Sequence, residues 1–195
     1  IATPGTPQAT PTGGASATIN TEGGELRTSD GLFAATVPAA AVPRPVAIKY
    51  APGSAQAAPA PPAPGNTFLR VFTLRASLDG NDQPSFDFAR PVTIHIKLTD
   101  SEVNAAGGNL ARLSIQHYYA AGAAWLDLPT SRDEAERTVS AQVRSFSWFA
   151  LVAVAPTPAP APTPTFTPVP KPTATPIAIP PATPTPTPLP VPVPK

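Results

Sequence analysis

The chain contains neither cysteine nor methionine, and only two histidines occur among its 195 residues. The absence of cysteine excludes disulfide bonds, thiolate metal sites and cysteine nucleophiles. Charged residues make up 13% of the chain and the formal net charge is +1, so no nucleic-acid partner is predicted. No apolar run approaches the length of a bilayer span, so no membrane span is predicted.

Patterns that carry catalysis are missing as well. His95 lies on the polar side of an alternating segment, which predicts a solvated side chain, and His117 follows Leu113 and Ile115 at alternate positions, which predicts a partly buried one. No serine lies in a nucleophile-elbow motif. Paired carboxylates remain open as an alternative, but the few acids lie mostly in predicted turns. We therefore predict that the protein is not an enzyme and uses no cofactor.

One acidic turn is a candidate metal site. Asp79, Asn81, Asp82 and Asp87 bring several side-chain oxygens together in the sequence. Calcium takes about six to eight oxygen ligands, often from such loops, but this spacing does not match the twelve-residue helix-flanked loop. Aspartate, asparagine and glycine also serve ordinary turns. The pattern favours a plain turn over a calcium site.

Proline, in contrast to cysteine, methionine and histidine, is abundant. Of the 31 prolines, 17 lie in the last 40 residues, and that segment carries charge only at Lys171 and Lys195. Proline fixes φ and removes the backbone donor, so the segment 156–195 is predicted to be an extended arm in polyproline II or a strand-like conformation. Such an arm reaches about 120 Å. Residues 1–14 have similar chemistry and predict a shorter N-terminal arm.

The arm also contains apolar residues at regular positions. In Leu189–Pro194 proline alternates with an apolar residue, so an extended backbone presents its remaining N–H groups to one edge only. Such a segment can pair with an open sheet edge without being paired further. A plain solvated linker is the alternative. The predicted assembly anchors are Phe166, Val169, Ile177, Ile179, Leu189, Val191 and Val193.

Threonines in the arm are candidate acceptors of O-linked sugar, because Thr/Pro-rich segments are typical of glycosylated stalks. Attached glycan would solubilise and stiffen an arm that has little charge. The candidates are Thr157, Thr163, Thr165, Thr167, Thr173, Thr175, Thr183, Thr185 and Thr187.

Between the arms, residues 15–155 predict one all-β domain. Alternating apolar residues and turn signals argue for an antiparallel β-sandwich, and no segment has a convincing helical period. An Ala/Pro-rich stretch at 51–65 predicts an exposed loop. The predicted strands cover 17–19, 25–27, 32–37, 46–50, 68–76, 91–98, 113–119, 125–128, 138–143 and 147–154.

Two stretches resemble a known domain. The first runs from Gly23-Gly24 to Val42, and the second combines the segment 88–94 with later aromatic strands at 118–119, 125–129 and 146–152. Together they resemble the zona-occludens and uncoordinated-type domain, the β-sandwich of ankyrins and netrin receptors, in the form seen in secreted bacterial surface proteins before a Thr/Pro-rich stalk. Position 40 is alanine where that family usually has glycine. The resemblance implies an interaction or structural module without catalytic residues.

These observations lead to a functional hypothesis. We predict a bacterial, exported structural subunit of an extracellular filament or surface layer, whose partners are other copies of itself joined through the arms, with O-linked glycans as a further partner. A monomeric cell-surface adhesion or carbohydrate-binding module on a Thr/Pro stalk, using Tyr118, Tyr119 or Trp125, is the alternative. A chain that begins at Ile1 is typical of a processed product or of a fragment, and both interpretations stay open.

Overall fold

A computed structural model describes residues 13–83 and 86–155. This part of the chain contains one α-helix, α1 (Asp100–Ala105), and 3₁₀ turns at Ala55–Ala57, Leu110–Arg112 and Ala120–Gly122. The strands are β1 (Ala15–Ile19), β2 (Gly24–Arg27), β3 (Phe33–Val37), β4 (Val46–Gly53), β5 (Thr67–Leu78), β6 (Asn81–Gln83), β7 (Asp87–Lys97), β8 (Leu113–Tyr119), β9 (Ala124–Asp127), β10 (Thr130–Asp133), β11 (Thr138–Ser145) and β12 (Trp148–Ala153).

The described strands form two sheets in which every pairing is antiparallel. Sheet 1 has the order β1-β4-β5-β12-β8-β9, and β6 pairs with β5 beside it. Sheet 2 has the order β10-β11-β7-β3-β2. The prediction of an all-β chain with antiparallel sheets is therefore confirmed, and the arrangement is sandwich-like.

The core lies between the sheets because alternate residues of each strand point to the same side. On β3 and β7 the predicted inward residues are buried, among them Phe33, Ile94 and Ile96. From sheet 1, Tyr50 stacks on Phe33 with ring centroids 4.5 Å apart, and Phe149 stacks on its neighbour Phe72 at 5.6 Å. Buried residues of both sheets belong to this one apolar cluster.

A buried ion pair joins the sheets at one end. The Arg70 guanidinium donates from Nε and Nη2 to the Glu102 carboxylate at 3.0 and 2.8 Å, and it donates further to the carbonyls of Leu32 and Lys97 at 2.9 and 3.2 Å. Each side chain of the pair is 1% exposed. Arg70 is in sheet 1 and its other partners flank sheet 2, so this network fixes the position of α1 between them.

Helix α1 itself was not predicted from the sequence. Its six residues are too few to show a helical period, and the helix begins with a capping box. The Thr99 hydroxyl accepts from the Glu102 amide at 3.3 Å, and the Glu102 carboxylate accepts from the Thr99 amide at 2.8 Å. The motif Thr-x-x-Glu is the sequence signal for this cap.

The Ala/Pro-rich stretch is more than an exposed loop. Strand β4 continues through Gly53, a 3₁₀ turn follows, and the next residues lie across the outer face of sheet 1. There the Trp125 indole donates its N–H to the Ala60 carbonyl at 2.9 Å, and Ala58 packs against an apolar cluster. Most side chains of the stretch are exposed, yet its backbone is anchored to the sheet.

Candidate docking surface at the edge of sheet 1

Five strands pair on one side only: β1, β9 and the three-residue β6 in sheet 1, and β2 and β10 in sheet 2. Strand β6 is short and carries Asp82. Charged side chains on an edge discourage the addition of another strand. Strand β2 carries Glu25 and Arg27, which form an exposed ion pair at 2.7 Å. The edge of β2 is therefore protected against pairing.

Strand β10 is protected in a similar way. It carries Arg132 and Asp133, and the Arg132 guanidinium reaches across to sheet 1. Its Nε and Nη2 donate to the Leu113 carbonyl at 3.1 and 2.6 Å, and Nε also donates to the Leu110 carbonyl at 2.9 Å. Strand β10 is thus held against the end of sheet 1 and presents charge to an incoming strand.

Strand β9 has little such protection. Its one charged residue is Asp127, whose carboxylate accepts from the Ser114 hydroxyl at 2.8 Å and the Gln116 amide at 3.1 Å. Leu126 on β9 is 51% exposed, and Tyr119 on the neighbouring strand is 53% exposed. We call Tyr119 together with Ala124–Asp127 the β9 edge. The remaining edge strand, β1, is uncharged too, but no large exposed apolar side chain lies on it.

The register shows which face of sheet 1 carries Leu126. Leu126 lies opposite His117, and His117 lies opposite Phe149, which is fully buried in the core. Leu126 therefore lies on the core-facing side of sheet 1. Leu126 is nonetheless 51% exposed, so this part of the core-facing side is not covered by other described residues.

The backbone of the β9 edge also has groups available for pairing. The Leu128 amide donates to the Ile115 carbonyl at 2.9 Å, so alternate residues before it, including Leu126, direct their backbone groups toward β8. The N–H and C=O groups of Trp125 and Asp127 then point away from β8. No further strand of the described residues lies beyond β9.

The outer face of sheet 1 carries an aromatic cluster beside this edge. Trp125 packs edge-on against Phe68 and Tyr118, with ring centroids 5.2 and 5.4 Å apart, and Trp148 contacts the same apolar cluster. We call Phe68, Tyr118, Trp125 and Trp148 the outer aromatic face. Of the three aromatics named for a carbohydrate-binding module, Tyr118 and Trp125 are half-buried in this packing and only Tyr119 is mainly exposed.

The two histidines lie on different sheets. His117 is half-buried and stacks on Phe149 with ring centroids 4.7 Å apart, as its alternation with apolar residues predicted. Burial lowers its pKa, and its Nε2 has no hydrogen-bond partner among the described atoms. His95 lies on β7 opposite Ser140, on the outer side of sheet 2. The structure does not bring the two imidazoles together.

Most of the candidate calcium ligands lie in the β-hairpin formed by β5 and β6. Leu78 pairs with Asn81, and the two residues between them, Asp79 and Gly80, have φ of 50° and 80°, as a two-residue hairpin turn requires. The Asp79 carboxylate binds Arg44 at 3.1 Å, and the Asp82 carboxylate accepts from Ser77 at 3.0 Å. Asp87 begins β7. Within residues 13–83 and 86–155, no group of three or more His, Cys, Asp or Glu is placed to hold a metal ion.

The predicted arm sites fall outside the described part of the chain. The assembly anchors from Phe166 to Val193 and the candidate glycan acceptors from Thr157 to Thr187 all lie beyond residue 155. No helix among the described residues is long and apolar enough to cross a membrane.

No model of a known protein family matches the chain, and no curated protein matches it.

Proposed function

We propose that the chain is an exported structural subunit of an extracellular filament or surface layer, and that it assembles when the proline-rich arm of one copy docks on the β9 edge of the next. The observation that carries this proposal is the β9 edge itself. It is an open strand with outward backbone groups, one engaged carboxylate and two large apolar side chains that are more than half exposed.

The end of the arm is chemically suited to this edge. Trp125 and Asp127 offer outward backbone groups two residues apart, and Val191 and Val193 have the same spacing. In an extended segment their N–H and C=O groups point to one side. The intervening prolines lack N–H groups, so the added strand is itself a poor template for another. Exposed Leu126 and Tyr119 provide apolar contact for the valine side chains.

The directionality of this contact leads to a polymer. Each copy carries one C-terminal arm and one β9 edge, and these are different surfaces. A contact between different surfaces is heterologous and builds an open filament when its rotation does not close. An arm that is already extended loses less conformational entropy on docking than a flexible linker does.

The domain type belongs to the same proposal. We propose that the sandwich-like fold is that of the zona-occludens and uncoordinated-type domain. Ala40 has a φ of 59°, a left-handed conformation in which glycine is favoured, and this is the position at which the family usually has glycine. This backbone conformation supports the resemblance despite the alanine.

Substitution of Leu126 by lysine in the full chain tests the function. Lysine on an edge strand opposes strand addition, and Leu126 is already half exposed, so the fold tolerates the change. We expect L126K to abolish filaments in negative-stain electron microscopy and to reduce particle mass in light scattering. Ser131→Lys, which adds the same charge to exposed β10, is the matched control and should assemble normally.

A chain that ends at Ala155 removes the donor instead of the acceptor. We expect it to remain monomeric. Normal assembly of this shortened chain, or of L126K, would contradict the proposal. Monomers of the unaltered full chain would favour the alternative, an adhesion or carbohydrate-binding module on a stalk, and glycan screening would then follow.

A further inference from the structure

The outer aromatic face holds a proline-rich segment within the described structure. The residues on it are Ala58-Pro59-Ala60-Pro61, and the Trp125 indole N–H donates to the Ala60 carbonyl at 2.9 Å. Ala58 has φ −62° and ψ 140°, close to polyproline II. Aromatic side chains combined with a donor to a backbone carbonyl are the usual means of binding such segments.

This segment is attached by few interactions. Among the hydrogen bonds of the described residues, the one from Trp125 is the only bond that joins residues 58–63 to a strand of sheet 1. The other bonds lie at the ends of the loop: two are local, from Ala57 to Ser54 and from Asn66 to the Ala63 carbonyl, and the Ala155 amide donates to the Asn66 side chain at 3.3 Å. A chemically equivalent segment can therefore take its place at little cost in hydrogen bonds.

The arm contains such a segment. Ala159-Pro160-Ala161-Pro162 repeats the tetrapeptide Ala58–Pro61 residue for residue, and it too is followed by further proline. We propose that the outer aromatic face is a receptor for Ala-Pro segments in polyproline II, and that residues 159–162 of a second copy bind there in exchange for the resident loop. This inference rests on the proposed function, because assembly brings the second copy close.

The position of the tetrapeptide determines which copy supplies it. Residues 159–162 follow Ala155 by only about 12–22 Å of extended chain, so an adjacent copy is the one they can reach. The anchors at 189–193 lie about 90 Å farther along the arm, which leaves enough chain for them to reach the β9 edge of the same neighbouring copy. Each domain would then receive two segments of one arm.

Tryptophan quenching of a fluorophore on the arm tests the exchange. Because the chain has no cysteine, Thr163→Cys gives a single site for bimane, whose emission tryptophan quenches on contact. The labelled full chain also carries Trp125→Phe and Trp148→Phe, so that its own domain lacks both the donor and a tryptophan quencher. We expect its emission to fall when unlabelled full chain is added, and to stay unchanged when the added chain carries Trp125→Phe.

The other outcomes are distinguishable. Quenching that occurs only in a labelled chain with its own Trp125, and does not change on dilution, would show that the copy's own arm binds and would overturn the proposal. Unchanged emission in every mixture would overturn it too. Light scattering on the same samples separates the two hypotheses: assembly without quenching contradicts only this inference, whereas quenching without assembly contradicts only the proposed filament.

Discussion

Ala40 adopts a backbone conformation that disfavours its own side chain. Its φ is 59°, and its amide donates to the Thr21 carbonyl at 2.8 Å, which holds the conformation in place. The left-handed region costs an L-residue roughly 1–2 kcal/mol, whereas glycine loses about 0.5–1 kcal/mol to the greater entropy of its unfolded chain. The first cost is the larger one.

We therefore expect Ala40→Gly to raise the free energy of unfolding by up to about 1 kcal/mol, measured by urea denaturation. Ala39 is the matched control, because it is exposed like Ala40 and has no positive φ. Ala39→Gly should lower stability slightly. Equal effects of the two substitutions would show that the conformation of Ala40 is not strained.

His117 is expected to make the free energy of unfolding rise with pH. Burial lowers the pKa of His117 in the folded chain, so between that value and about 6.5 the unfolded chain binds more protons. Stability then rises with pH across this window and levels off above about pH 6.5. His117→Phe keeps an aromatic ring against Phe149 and should remove this part of the slope. Urea titrations from about pH 5 to pH 7.5 measure the difference.

Helix α1 contributes to the stability of the domain through one buried charge, the Glu102 carboxylate. The Glu102 carboxylate accepts two bonds from Arg70 and two from Thr99, and it is inaccessible to solvent. Truncating one partner of a buried ion pair leaves the other uncompensated, at a cost of about 3–5 kcal/mol. We expect Glu102→Ala to destabilise the domain by that amount in thermal or urea unfolding.

Asp100 on the same helix is the matched control. It binds Arg137 at 2.6 Å, but the Asp100 side chain is 85% exposed. Asp100→Asn should cost less than about 1 kcal/mol. The double variant Arg70→Met/Glu102→Met should be more stable than Glu102→Ala, since apolar residues often replace a buried pair without loss. A double variant less stable than Glu102→Ala would assign a larger stabilising role to the pair itself.

At the scale of the whole molecule, assembly should depend on apolar contact and little on charge. The chain has a formal net charge of +1, and the arm segment 156–195 carries only two lysines. We expect the critical concentration for assembly to change little between low and moderate NaCl. It should rise on cooling, because apolar burial weakens at low temperature. Sedimentation at several temperatures and salt concentrations measures both effects.

Much of the fold could be predicted from alternation alone. The burial of Val92, Ile94 and Ile96 on β7 follows from the period of two, and so does that of Val46, Ile48 and Tyr50 on β4. Alternation does not reveal to which sheet each strand belongs. Strand β1 belongs to sheet 1 and β2 to sheet 2, although only residues 20–23 separate them.

The candidate site was harder to predict for a different reason. The sequence places Leu126 in a strand, but its exposure depends on whether other parts of the chain cover that side of sheet 1. Trp125 was a candidate exposed aromatic, and its true environment depends on a loop some 65 positions earlier in the chain. Both features result from contacts between distant segments, which composition and spacing do not reveal.

Strand β12 is the last strand of the described domain, yet it lies in the middle of sheet 1, between β5 and β8. During synthesis the two halves of this sheet, β1-β4-β5 and β8-β9, have no partner to join them until residue 153 has left the ribosome. Pairing between such distant segments is intrinsically slow. We therefore expect sheet 1 to close only after β12 is available, so that its two halves stay unjoined while most of the domain is being made.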